Sequence, residues 1–284
     1  MDSVVRTVYP IAKSIVGKID GKKYAEAVYR LLTPKHLRWV RLFDSWLLTD
    51  IHDKGIGTLL FLKGAHAYAG SRDQAIRRLV KEGDTVVDIG ANIGYYTVLL
   101  RNLVGASGKV YSFEPDLRSV ELLRQTVKKN DWSNVVVEQQ AVSNKLDIAV
   151  LYRTDVWTVN ALNKVNKLHD TISVRVTSLD DYFPNGTRVD CAKMDMDGSE
   201  PLAIEGMRRI IWQNPNVKVL AEYQPYNLRR CIGEPCRFVG MATRSGLQSI
   251  EMVAIGNGIV PFDATMLANV PEYSSVDLVL GTGK

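Results

Sequence analysis

The chain is poor in cysteine, in long apolar runs and in repeats, and each shortage excludes something. Its three cysteines are odd in number, so they build no disulfide framework. Cys191 falls in an apolar, strand-like run. Cys231 and Cys236 lie near each other without His or Cys companions at metal-ligand spacing, so all three read as packing or surface thiols. The longest apolar stretches, such as 57–62, are far too short to span a bilayer. A charged-then-apolar secretory pattern is missing, because Arg6, Lys13 and Lys18 interrupt the N-terminal stretch. The expected location is therefore the cytoplasm. There the sequon Asn185-Gly186-Thr187 has no consequence. No internal repeat or low-complexity linker divides the 284 residues, whose 46% hydrophobic and 24% charged content suits a globular chain with a sizeable core.

Positive charge is unevenly placed. Residues 1–41 hold nine basic residues against Asp2, Asp20 and Glu26, so the rest of the chain carries −1 of the net +5. Val4, Val5, Val8, Ile11, Ile15 and Val16 recur at helical spacing, and a second helix is expected over 22–32, before Pro34. Such a basic amphipathic segment either packs on its own domain or gives peripheral contact with an anionic membrane. The expected division is a basic helical segment over 1–45, a strand pair and helix over 46–80, and a ligand-binding domain over 81–284. The strand pair is expected around Asp53-Lys54-Gly55. A helix capped by Ser71 follows.

From residue 85 the chain alternates strand and helix. Strands are expected at 85–89, 109–114, 135–138, 190–194 and 217–222. Helices are expected at 95–103, 117–129, 199–211 and 237–244. Two extra strands, 146–152 and 171–176, flank a polar loop, and late strands fall at 250–254, 260–262 and 275–280. This pattern is α/β: a Rossmann-like, mainly parallel sheet with an antiparallel edge.

The organising stretch is Val87-Asp88-Ile89-Gly90-Ala91-Asn92-Ile93-Gly94. Strand, glycine turn and helix start bring backbone N–H groups against a nucleotide-like ligand. The turn is G-x-x-x-G, and Asn92 stands where a dinucleotide fingerprint needs a second glycine to admit a pyrophosphate. That argues against NAD. Glu114 closes the second strand twenty positions past Gly94 and suits a pair of ribose hydroxyls. Asp88 orients the loop or holds an ammonium, while Thr97 and loop N–H groups suit a carboxylate. Together these favour S-adenosylmethionine.

The combination resembles the FkbM-like S-adenosylmethionine-dependent methyltransferases. The resemblance is carried by 87–94, Phe113-Glu114-Pro115, Ala141-Val142-Ser143, Ser178-Leu179-Asp180-Asp181, Lys193-Met194-Asp195-Met196-Asp197-Gly198-Ser199-Glu200 and Leu220-Ala221-Glu222. It covers about 50–284 and implies a class I methyltransferase core that O-methylates sugars, glycans or secondary metabolites. It implies that Asp88, Gly90, Asn92, Gly94, Tyr96 and Thr97 line the methionyl end, that Glu114 holds the ribose, and that Gln140 and Ala141 meet the adenine. The family usually has Glu where this chain has Asp197.

Methyl transfer from a sulfonium needs an oxygen held in line and its proton shared or removed. Asp195, Glu222 and Lys193 gather at the strand ends where that happens, so they are the candidate catalytic residues, with Asp195 also near the cofactor. A divalent metal bridging Asp195 and Glu222, as in catechol-type O-methyltransferases, is an open alternative to base catalysis or orientation alone. His169, Tyr152, Trp157 and Asn160 in the insert are candidates for flanking the acceptor. A nucleic-acid or protein methyltransferase is the competing reading. The core has no basic stripe for phosphates, and no Asn-Pro-Pro-Tyr-like motif follows 190–194. A non-enzymatic cofactor-binding module is a third reading, opposed by the intact acidic cluster.

Overall fold

The computed structural model describes residues 36–53, 55–64, 70–154, 168–254 and 258–283. The helices expected before residue 36, and Trp157 and Asn160, lie outside them. Strands β1 (Leu37–Leu42) and β2 (Ser45–Asp50) form an antiparallel hairpin, followed by α1 (Ile56–Lys63) and α2 (Ser71–Leu79). Next come β3 (Thr85–Ile89), α3 (Tyr95–Val104), β4 (Lys109–Phe113), α4 (Leu117–Lys129) and β5 (Val135–Glu138). Strands β6 (Ala141–Val142), β7 (Asp147–Thr154) and β8 (Leu168–Thr177) make a small side sheet. Then follow α5 (Leu179–Tyr182), β9 (Cys191–Met194), α6 (Glu200–Glu205), α7 (Arg208–Gln213), β10 (Lys218–Tyr223), α8 (Pro225–Ile232) and α9 (Arg237–Arg244). Strands β11 (Ser249–Ala254) and β12 (Gly258–Pro261), α10 (Ala264–Ala268) and β13 (Val276–Gly281) complete the chain.

The main sheet has eight strands in the order β12-β11-β13-β10-β9-β3-β4-β5. From β10 to β5 every pairing is parallel, and β13, β11 and β12 pair antiparallel. This is the expected mainly parallel sheet with an antiparallel edge. Alternation along β3 sends Val86 to one buried apolar cluster and Val87 to the other, so both sheet faces are covered. The chain winds outward from β3 to β5 and then returns to β9 on the other side. That reversal opens a crevice at the carboxyl ends of β3 and β9, where open α/β sheets bind ligands.

Three local expectations change. The strand pair sits at 37–50, not around Asp53, so residues 37–42 are strand and not part of a helical segment. Asp53 starts α1 instead: its carboxylate accepts N–H bonds from Gly55 (2.9 Å), Gly57 (2.9 Å) and Thr58 (3.2 Å). An aspartate before a glycine serves a helix entry as readily as a hairpin turn. Ser71 lies inside α2, whose N-cap is Gly70. The expected helix over 199–211 is broken at Gly206, where a Cβ would come within 2.0 Å of the Ser143 carbonyl oxygen.

The glycine turn carries the tightest constraint. Gly90 has φ +71°, and a Cβ there would fall 1.9 Å from the Asp195 carbonyl oxygen. The ends of β3 and β9 therefore touch backbone to backbone. Gly90→Ala is expected to cost about 3 kcal/mol, combining left-handed strain with overpacking. The urea midpoint of unfolding checks this.

Candidate active site

The crevice opens to solvent and is walled by four strand ends. From the β3 turn come Gly90, Asn92 and Tyr96; from β4, Phe113 and Glu114; from β5–β6, Gln140 and Ala141; from β9, Lys193, Asp195 and Asp197. Ile56, Val142 and Leu151 add apolar wall.

Three residues expected at the methionyl end lie behind that wall. Asp88 is fully buried under the turn. It accepts a 2.7 Å hydrogen bond from Thr97 Oγ1, itself 2.9 Å from Ser112 Oγ. Thr97 thus braces Asp88 and does not face the crevice. Gly94, at φ +103°, leaves room for Leu123, whose Cδ1 a Cβ would approach to 2.5 Å. The turn's amides are also committed. Gly90 and Ala91 donate to Phe113 O, Asn92 to Glu114 Oε2, Ile93 to Asn92 Oδ1 and Gly94 to Ala91 O. A ligand carboxylate has to find other donors than these and Thr97.

Glu114 is buried, and each of its oxygens accepts one backbone N–H: Asn92 at 2.9 Å and Asp116 at 2.8 Å. Burial pushes its carboxyl up to about 7, while those two N–H bonds pull it back. A carboxylate oxygen accepts more than one hydrogen bond, so both keep capacity for a pair of hydroxyls.

Lys193 is a buried amine, and its Nζ sits 3.1 Å from Asp88 Oδ1. It donates to Gly90 O at 3.0 Å and lies 4.9 Å from the centre of the Tyr96 ring. These bonds tie β9 to the glycine turn. They give Lys193 a bracing role, although it also lines the crevice.

Arg72, on α2, did not stand out in the sequence because Ser71-Arg72-Asp73 reads as an ordinary helix start. Its guanidinium reaches Asp195, Glu222 and Asp277 together. Nε lies 2.8 and 2.9 Å from the Asp277 oxygens, Nη2 is 3.1 Å from Glu222 Oε1, and Nη1 donates to Asp195 Oδ2. Asp277 carried one signal, a charge within an apolar strand.

Environment separates the two candidate catalytic carboxylates. Burial raises Asp195, but the Arg72 and Lys193 charges outweigh it and hold it below the usual range. Glu222 is pushed up to about 7 by burial and by the Asp195 charge. Asp195 lines the crevice, whereas Glu222 stands beside it across Arg72. Asp197 has φ 52°, accepts from Asn227 Nδ2 at 3.2 Å, and is raised well above its ordinary value by burial and the surrounding carboxylates. Glu200 is raised to about 8 by burial and then by Glu222. Among the described residues, Arg72 pairs with Asp195, Glu222 and Asp277, and Lys193 pairs with Asp88.

A Rossmann-like sheet with a glycine turn after β3, an acid after β4, a carboxylate just past β9 and another near the end of β10 defines a methyltransferase class. Residues 88–235 match the family described as the Methyltransferase FkbM domain. The chain belongs to that family.

The chain also has more distant likenesses. A ribosomal protein L11 methyltransferase of Dictyoglomus thermophilum is 26% identical, over 50% of this chain and 47% of its own. A protein-L-isoaspartate O-methyltransferase of Ignicoccus hospitalis is 30% identical, over 43% of this chain and 54% of its own. The chain thus spans about half the length of these curated relatives. Among solved structures, an S-adenosylmethionine-dependent methyltransferase of Aquifex aeolicus has TM-score 0.45 at 19% identity, covering 75% of this chain and 89% of its own. Aeropyrum pernix fibrillarin, solved with S-adenosylmethionine, has TM-score 0.46 at 13% identity, covering 85% and 84%.

Proposed function

We propose that this methyltransferase uses S-adenosylmethionine to O-methylate a hydroxyl of a sugar, a glycan or glycolipid, or a secondary metabolite. The observation that carries the reading is geometric: Asp195 and Glu222, joined through Arg72, stand at the edge of a crevice with a buried, preoriented Glu114. The donor set fits the cofactor. Glu114 has acceptor capacity for two ribose hydroxyls. Phe113, Ala141, Val142 and Leu151 offer apolar surface to an adenine, with Gln140 at its edge. The acidic crevice suits a sulfonium and an ammonium.

When bound, the cofactor supplies an electrophilic methyl group. This chain's residues do the rest. Asp195 would orient the acceptor hydroxyl and Glu222 would take its proton while the methyl group passes from sulfur to that oxygen, the sulfonium leaving as a neutral thioether. Lys193 and Asp88 hold the glycine turn in register beneath the site. Among the described residues no helix is long and apolar enough to cross a membrane. We place the enzyme in the cytoplasm, with residues 1–41 as the segment that attracts anionic surfaces.

The curated relatives named for protein substrates motivate the alternative, a protein or nucleic-acid acceptor. Tritiated-methyl incorporation into fractionated cell extract separates the two. Alkali-stable label in glycan, lipid-linked or small-molecule fractions is expected. Label confined to protein or polynucleotide, or released by alkali as from a methyl ester, refutes the hydroxyl reading.

A further inference from the structure

We propose that Arg72 is the built-in cation of this active site: it holds Asp195 and Glu222 for the acceptor and fills the place a divalent metal would take. The positioning part rests on the hydroxyl-transfer reading above; the occupancy part does not.

Glu222 on β10 and Asp277 on β13 are direct partners in the antiparallel register. Like charges facing each other across strands destabilise a sheet. Asp195 follows β9, the other neighbour of β10. Three adjacent strands thus aim three largely buried carboxylates at one spot. Three carboxylates converging from rigid strand ends need a countercharge among them. Here the guanidinium lies in their midst.

A guanidinium suits this task and an ammonium does not. Arg72 spends a two-point contact on Asp277 and still reaches Glu222 and Asp195 with separate nitrogens. One planar fork with five N–H donors serves three acceptors, whereas lysine is a point charge with three donors. The guanidinium also lies 5.7 Å from the centre of the Tyr96 ring, which lines the cofactor crevice. Arg72 therefore stands at the boundary between the cofactor wall and the proposed acceptor side, and its side chain is only 15% exposed. A buried charge this well paired is fixed in place, so the carboxylates it touches have fixed orientations too.

The test compares wild type, Arg72→Ala and Arg72→Lys in the full chain. Manganese binding is titrated by loss of the free-ion electron-spin-resonance signal, and methyl transfer is followed with and without EDTA. Wild type is expected to bind no manganese at this site and to be indifferent to EDTA. Arg72→Ala is expected to lose about a hundredfold in kcat and to gain one manganese site. Arg72→Lys is expected to stay folded, since it keeps the charge, yet to recover less than a tenth of wild-type kcat. If Arg72→Ala alone does not fold, Arg72→Ser refolded with manganese present takes its place in the titration, leaving all three carboxylates intact. Wild type that binds manganese here and is inactivated by EDTA overturns the proposal. So does Arg72→Lys with wild-type kcat per folded molecule, because Arg72 is then only a structural staple. Manganese titration needs no acceptor, so it still reads out if the hydroxyl reading fails.

Discussion

Glu222→Gln lowers kcat by about 10²–10⁴, the range for loss of a positioned general base, while the fold and cofactor affinity are retained. The amide keeps the shape of the carboxylate but accepts no proton. The pH dependence identifies the cause. Burial, and next the Asp195 charge, push Glu222 up to about 7. Its base form therefore prevails above that pH, so wild-type kcat climbs through about 7 and then levels. In Glu222→Gln that step disappears. Glu114 is also raised to about 7, so the profile is measured at saturating cofactor and acceptor, where a change in cofactor binding no longer enters. A Gln variant that keeps the wild-type rate and the wild-type step places the base elsewhere.

Lys193→Met destabilises the chain by about 3–5 kcal/mol, the usual result of stripping a buried ion pair of one partner. Lys193 is 2% exposed and Asp88 is fully buried, 3.1 Å apart. With Lys193 gone, Asp88 keeps its bond from Thr97 Oγ1 but loses its cation. Gly90 O loses its amine donor as well. Adding Asp88→Asn removes the stranded charge, keeps an acceptor for Thr97 and recovers part of the loss. Denaturant melts of the single and double variants measure this. Unchanged stability in Lys193→Met would show that the pair is not the brace of the turn.

Much of the site was legible because its signals are short-range. The glycine turn, Glu114 at a strand end and the Asp195–Glu200 cluster each announce themselves within a few residues. Gln140 and Ala141 follow from the next strand end. Asp88, Gly94 and Thr97 read from the sequence as lining the methionyl end, whereas the structure places them behind the wall. Their burial depends on Ser112, Leu123 and Lys193, which the turn's own sequence does not reveal. Arg72 was not legible at all. It meets Asp277 across 205 positions of chain and Glu222 across 150. Nothing in an amphipathic helix marks one arginine as the bearer of three carboxylates. The same long-range logic breaks the helix at Gly206, where Ser143 approaches. At Asp53 the difficulty was local ambiguity, because aspartate and glycine together serve both a turn and a helix entry.

We propose that the crevice binds S-adenosylmethionine through Glu114 and presents its methyl group on the Asp195 side. Isothermal titration of the full chain with S-adenosylmethionine at neutral pH tests it most directly. One site per chain is expected, with affinity weakened about a hundredfold in Glu114→Ala (the loss of about 3 kcal/mol of charge-assisted hydrogen bonding) and unchanged in Glu222→Gln. No binding to the wild-type chain, or equal binding by Glu114→Ala, would contradict it.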